Sequence, residues 1–263
     1  MNQHYSTHRC LLGLVFVALS ILALSAPAAE DDATLLQRQA ITRIEAAVEH
    51  FRKTGDFQSR VRDLQQAESE LTTSNEALAA RGDWSAVARG LVWLGPIQRM
   101  QANGKPALAY YHHAETTARL ANDIVIYIKA LIGLAQTEAQ LRDYGLAAVH
   151  AAQAVKLSEP LADKKLLFDA LSVAGQIQVN QRNLNAAVDT FNRAFMVAQG
   201  LKDESLRFYS HLDRADAYFN FARECDFKKT YKPCLEAIER ARADYNAALS
   251  LARKLGYAGL AKS

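Results

Sequence analysis

The chain has no run of lysine and arginine: 31 basic residues are scattered among 28 acidic ones, for a formal net charge of +3 over 263 residues. A nucleic-acid face needs a concentrated basic footprint, so no nucleic-acid partner is expected. Hydrolytic signatures are missing too, since neither G-x-S-x-G nor H-E-x-x-H occurs. His112-His113 with Glu115 lacks the i, i+4 histidine pair of a metalloprotease helix and reads as surface histidines, and Gly104-Lys105 has no phosphate loop before it. No catalytic residue, no cofactor and no metal is expected. Cysteine is rare, with three in all, and only one apolar run approaches the length of a membrane span.

That run lies at the start. A polar head with Arg9 precedes Leu11 to Leu24, and Ser25-Ala26-Pro27-Ala28-Ala29 then supplies small residues ahead of acidic Glu30-Asp31-Asp32. Residues 1–28 read as a secretory signal peptide cleaved near Ala28, with an uncleaved anchor as the alternative. Cys10 precedes the apolar stretch and is misplaced for a lipoprotein anchor. Cleavage removes it and leaves Cys225 and Cys234, an even pair that in an exported chain invites a structural disulfide worth roughly 2–3 kcal/mol. The expected location is the periplasm or the medium, with no membrane contact beyond the signal segment.

What the chain does have is a repeat. Its composition, 50% hydrophobic and 22% charged, supports a substantial core. Asp83, Asp123, Asp163 and Asp203 recur every forty residues, each ahead of an apolar-periodic run where a short carboxylate caps a helix. Leu91, Leu131 and Leu171 keep the same register, as do Gly95, Ala135, Gly175 and Ala215. Further on, Ala107, Ala147 and Ala187 match, then Tyr111, Ala151 and Phe191, then Ala114, Ala154 and Ala194. Asn103, Asp143 and Asn183 align as caps of a second helix, and Pro106 suits a first turn. Each unit is therefore a helix, a tight turn and a helix.

Residues 29–82 read as a preceding helical hairpin, a degenerate repeat or cap. Its helices run from Thr34 to Lys53 and from about Gln58 to Ala80, broken at Gly55-Asp56. The array occupies 83–263. Its fourth unit is interrupted near 224–234, because the second-helix residues come at Ala241, Tyr245 and Ala248 where uninterrupted spacing puts them at 227, 231 and 234. Gly256 stops the last helix, and Tyr257 to Ser263 read as a short cap or a frayed end. Trp84 and Trp93 read as core of the first repeat.

The sets Gly95-Ala107-Tyr111-Ala114 and Gly175-Ala187-Phe191-Ala194 resemble the tetratricopeptide repeat, and Ala135-Ala147-Ala151-Ala154 matches apart from its missing aromatic. The resemblance implies an all-α fold, a right-handed α-solenoid of stacked helix-turn-helix units, here with a period of forty rather than the usual thirty-four; a HEAT-type solenoid is the alternative. It also implies a concave groove lined by first helices. Carried over position by position, the groove comprises Arg89, Lys129, Asp169 and Tyr209, then Gln136, Gln176 and Asp216, then Met100, Gln140, Asn180 and Asn220, with Arg99 nearby. Gln140, Asn180 and Asn220 would form a ladder of amides able to pair with an extended backbone, and Arg89, Lys129 and Arg99 could meet a carboxylate. The implied function is a non-enzymatic scaffold binding a peptide or protein segment. The alternatives are a self-associating structural protein, a homo-oligomer, and an accessory or sensor subunit that binds a glycan or small ligand.

Overall fold

The structure, a computed structural model, describes residues 31–257 apart from 55, 57 and 102; the signal segment lies outside the described residues. Helices α1 (Asp32–Thr54) and α2 (Val61–Ala80), the latter entered through a 3-10 turn at Gln58–Arg60, form the N-terminal hairpin. Four helix pairs follow: α3 (Trp84–Met100) with α4 (Gly104–Leu120), α5 (Ile124–Gln140) with α6 (Tyr144–Ser158), α7 (Lys164–Asn180) with α8 (Leu184–Gly200), and α9 (Glu204–Glu224) with α10 (Tyr231–Leu255). No strand occurs among the described residues, and none of their helices is long and apolar enough to cross a membrane.

The forty-residue aspartates explain why the units are separate helices rather than one. Asp83, Asp123, Asp163 and Asp203 accept bonds from backbone N–H groups one turn ahead, with Ala86 N at 3.1 Å, Ile126 N at 3.0 Å, Leu166 N at 3.2 Å and Leu206 N at 3.1 Å. Asp83 and Asp123 also close the preceding helix, since their own N–H groups reach back to Leu78 O at 3.0 Å and Ala118 O at 2.9 Å. That return requires a left-handed residue just before, and Gly82 (φ 80°) and Asn122 (φ 55°) supply it. One residue thus ends one helix and opens the next. Asp143 caps α6 in the same way, accepting from Leu146 N at 3.2 Å. Asn103 and Asn183, expected to cap α4 and α8, make no side-chain cap bond. The Asn103 amide instead donates to Gln98 and Gln101.

The small-residue register has a packing cause. Tyr111 of α4 is 2% exposed and its ring fills the space between Gly95 of α3 and Gly133 of α5; a methyl added at either glycine would fall inside the ring. In the third unit the ring of Phe191 plays the same part, and a methyl on Gly175 would lie 2.7 Å from it. The second unit has Ala151 at that position, and a cavity of about 260 Å³ lies beside it, floored by Leu171, Ala174 and Ile177. Trp93 is half-buried on the N-terminal core as expected of it, whereas Trp84 is 51% exposed.

The interruption in the fourth unit is mostly helix. With 21 and 25 residues, α9 and α10 outgrow the 17-residue helices of the first repeat, so most of the extra chain lengthens the last hairpin instead of forming an excursion. Cys225, at the C-cap of α9, is disulfide-bonded to Cys234 in the first turn of α10 and ties the two ends together. Gly256 (φ 71°) stops α10. Tyr257 is not frayed: it is 1% exposed, edge-on to Phe208 at 5.4 Å, with its hydroxyl 3.0 Å from Ser205 Oγ.

Candidate functional site

Successive first helices touch one another, α3 with α5, α5 with α7 and α7 with α9, while the second helices make no comparable contact among the described residues. The first helices therefore line the tighter, concave side. A cavity of about 410 Å³ opens there, walled by Gln136, Ala139 and Gln140 of α5 and by Ser172, Val173, Gln176, Ile177 and Asn180 of α7. Arg99 of α3 stands at one end and Asp213 of α9 at the other.

Five of the residues assigned to the groove, Gln136, Gln140, Gln176 and Asn180 by register and Arg99 as their neighbour, come together around this cavity. Arg99 reaches across to α5, where Nη1 donates to Gln136 Oε1 and Nε donates to Gln140 Oε1 at 3.3 Å. The Tyr111 hydroxyl, threaded between the two glycines, meets the same guanidinium; burial pushes its pKa up and Arg99 opposes the rise. Three neutral groups thus orient Arg99, and no carboxylate pairs with it among the described residues.

The remaining assigned residues lie elsewhere. Arg89 and Lys129 are exposed near the helix starts, and Asp169 is ion-paired with Lys165 at 3.2 Å. Tyr209 is half-buried, edge-on to Phe208 at 4.9 Å, and Met100 packs against the N-terminal core. Asp216 accepts from the Tyr245 hydroxyl at 2.5 Å. The amides at the helix ends do not form a free ladder. Gln140 is engaged by Arg99, and Asn220 donates 2.8 Å to Asp216 O of its own helix, which leaves Asn180 facing the cavity.

Asp213 was not among the residues assigned by register, though the sequence held a signal for it. Its column is Trp93, Gly133, Val173 and Asp213, three apolar or small residues and then a carboxylate. In the structure it is half-buried in the cavity wall, and no cation pairs with it among the described residues. Burial pushes its pKa up to about 7, with Asp216 adding to the rise and the Ser172 hydroxyl opposing it.

A folded-state pKa above the unfolded value of about 3.9 means that the folded chain holds this proton more tightly, so stability falls as pH rises from about 4 to about 7. Asp213→Asn removes that loss. Allowing for partial solvent access, it is expected to stabilise the protein by about 1–2 kcal/mol at pH 8, with a gain that shrinks towards pH 4. Thermal unfolding of both proteins across that range checks it; a gain independent of pH would contradict it.

No protein-family model and no curated protein matches the chain, whereas solved structures do. BtubC (BKLC) from P. vanneervenii is 14% identical with a TM-score of 0.57, over 83% of this chain and 92% of that one. A Podosopora anserina protein described as a kinesin light chain with nearly identical TPR-like repeats is 14% identical with a TM-score of 0.55, over 80% and 96%. A Rap protein complexed with Competence and Sporulation Factor is 14% identical with a TM-score of 0.56, over 86% and 66%. At such identities the likeness is one of fold. Together with the capped helix pairs and their ring-on-glycine packing, it makes this chain an all-α solenoid of the tetratricopeptide-repeat type.

Proposed function

We propose that this protein is a non-enzymatic scaffold, exported to the cell envelope, whose concave groove holds an extended, partly acidic segment of another protein. The observation that carries the reading is Arg99: a guanidinium held in place by neutral groups, facing a cavity and lacking any carboxylate of its own among the described residues. Exposed Arg89 and Lys129, nearer the starts of α3 and α5, add positive charge outside the cavity, and Asn180 offers both a donor and an acceptor to a peptide backbone. The similarity to a Rap structure that contains a bound factor is consistent with this use of the fold. Export is supported by the signal-like first 28 residues and by the Cys225–Cys234 disulfide, which persists in oxidising compartments.

Replacing Arg99 and Asn180 together with Arg89 and Lys129 by alanine is expected to abolish in-cell crosslinking to the bound segment while leaving the circular dichroism spectrum unchanged. Undiminished crosslinking would place the site elsewhere. Self-association is a second reading with its own observation. Phe227, Tyr231, Leu235 and Ile238 are 41%, 63%, 38% and 43% exposed on the last hairpin, an apolar strip that a second copy could cover. Light scattering on the mature chain separates the two, since a monomer disfavours self-assembly.

A further inference from the structure

Resting on that reading of the groove, we propose that its cavity is bipolar: Arg99 receives a carboxylate, and Asp213 receives an ammonium or guanidinium group of the same bound segment. The two charges cannot satisfy each other. Arg99 is tied to Gln136 and Gln140 on α5, and Asp213 projects from α9 beside Ser172 of α7. The other carboxylates close to this wall already have partners, Asp216 in the Tyr245 hydroxyl and Asp169 in Lys165. Lys129, the second cation acting on Asp169 after Lys165, lies in the first half of α5 and is exposed.

An ionised carboxylate half-buried without a cation is costly, and a ligand cation removes that cost only when it binds. The raised proton affinity of Asp213 is the signature of that unmet charge. Geometry also sets a spacing. The Arg99 head lies against α5 and Asp213 projects from α9 against α7, so at least the α5–α7 step, about 8–10 Å between axes, lies between them. An extended chain rises about 3.3 Å per residue, so the acidic and basic groups of the ligand stand at least about three residues apart.

The test uses the full mature chain and a ladder of acetylated, amidated peptides in which glutamate and lysine are separated by increasing numbers of serines. Matched peptides carry norleucine in place of lysine, and an unacetylated peptide without lysine lets its amino terminus serve as the cation. Affinities are read by calorimetry at pH 8 and low salt. The lysine series is expected to bind best with about two or more intervening serines, roughly tenfold tighter than its norleucine counterpart, and to weaken with fewer. Asp213→Asn should erase that margin without weakening the norleucine peptides. If the unacetylated peptide shows the same sensitivity, the cation can also be an amino terminus, which supports the assignment. Equal binding of lysine and norleucine peptides would overturn the cation site and leave the groove reading standing. No binding of any peptide would overturn both.

Discussion

Gly133→Val is expected to cost about 3 kcal/mol or more and to lower the melting temperature accordingly, although glycine inside a helix is normally a defect. A β-branched residue in place of glycine in a solvent-facing helix gains a few tenths of a kcal/mol from propensity alone. Here the sign reverses, because the new side chain enters the space already filled by the ring of Tyr111. That ring has no retreat: it is 2% exposed and Gly95 closes its other side. Overpacking of a fixed core typically costs about 1–3 kcal/mol, and a ring held between two backbones belongs at the upper end. Tyr111→Ala alone should cost about 3–5 kcal/mol by leaving a void. Gly133→Val combined with Tyr111→Ala should be more stable than the sum of the two losses predicts, since each change relieves what the other creates. Urea unfolding followed by circular dichroism measures all three; additive losses would mean that ring and glycine do not share the space. Tyr111→Phe is a milder probe, keeping the packing while taking from Arg99 the hydroxyl that helps to orient it.

The periodic part of this architecture was legible because its causes are local. A carboxylate one turn before an apolar run caps a helix whatever surrounds it, and all four forty-residue aspartates do so. Asn103 and Asn183 occupy the equivalent place in the second helices, yet their amides make no cap bond, and the Asn103 amide bonds to two glutamines instead; an alignment cannot weigh such competition. The excess length in the fourth unit was visible, but not its form. Both flanking helices had room to grow, and growth satisfies backbone groups that an open loop would expose to water.

The cavity was half legible. Register placed Gln136, Gln140, Gln176 and Asn180 in one groove with Arg99 nearby, and the structure brings them together. What register could not give was who pairs with whom across repeats. Arg99 takes up the Gln140 amide, the last hairpin takes up Asp216 through Tyr245, and Asn220 turns back on its own helix. Asp213 escaped because the rest of its column, Trp93, Gly133 and Val173, is apolar or small and carries no polar recurrence that register could follow.

Asp244→Ala should be the most damaging single charge removal in the C-terminal hairpin, at about 3–5 kcal/mol. Asp244 is 4% exposed on α10 and accepts three bonds from α9, from His211 Nδ1 and from Arg214 Nε and Nη2, each at 2.7 Å. The Arg214 head lies 3.4 Å above the ring of Phe195 on α8, and His211 meets that ring edge-on at 5.0 Å. One carboxylate therefore ties three helices of two repeats. Burial alone would push its pKa up, but the bonds from His211 and Arg214 outweigh burial and hold it below the usual carboxylate range. The linkage has the opposite sign to that of Asp213: this contribution is present above the unfolded pKa of about 3.9 and is lost as pH falls through the folded value. Removing the carboxylate leaves the Arg214 guanidinium without a counter-charge and the His211 ring without its acceptor, so the loss exceeds that of the bonds themselves. Asp244→Ala with Arg214→Met, which takes out the stranded guanidinium, should recover part of it. In a stack where each unit touches only its neighbours, the damage should stay local, with amide exchange accelerated in α9 and α10 and little changed in α1 to α5. Uniform acceleration along the chain would show that the triad holds more than the last hairpin. A pairing this complete marks a carboxylate spent on structure, and that contrast is why Asp213, left without a cation, is the one assigned to a ligand.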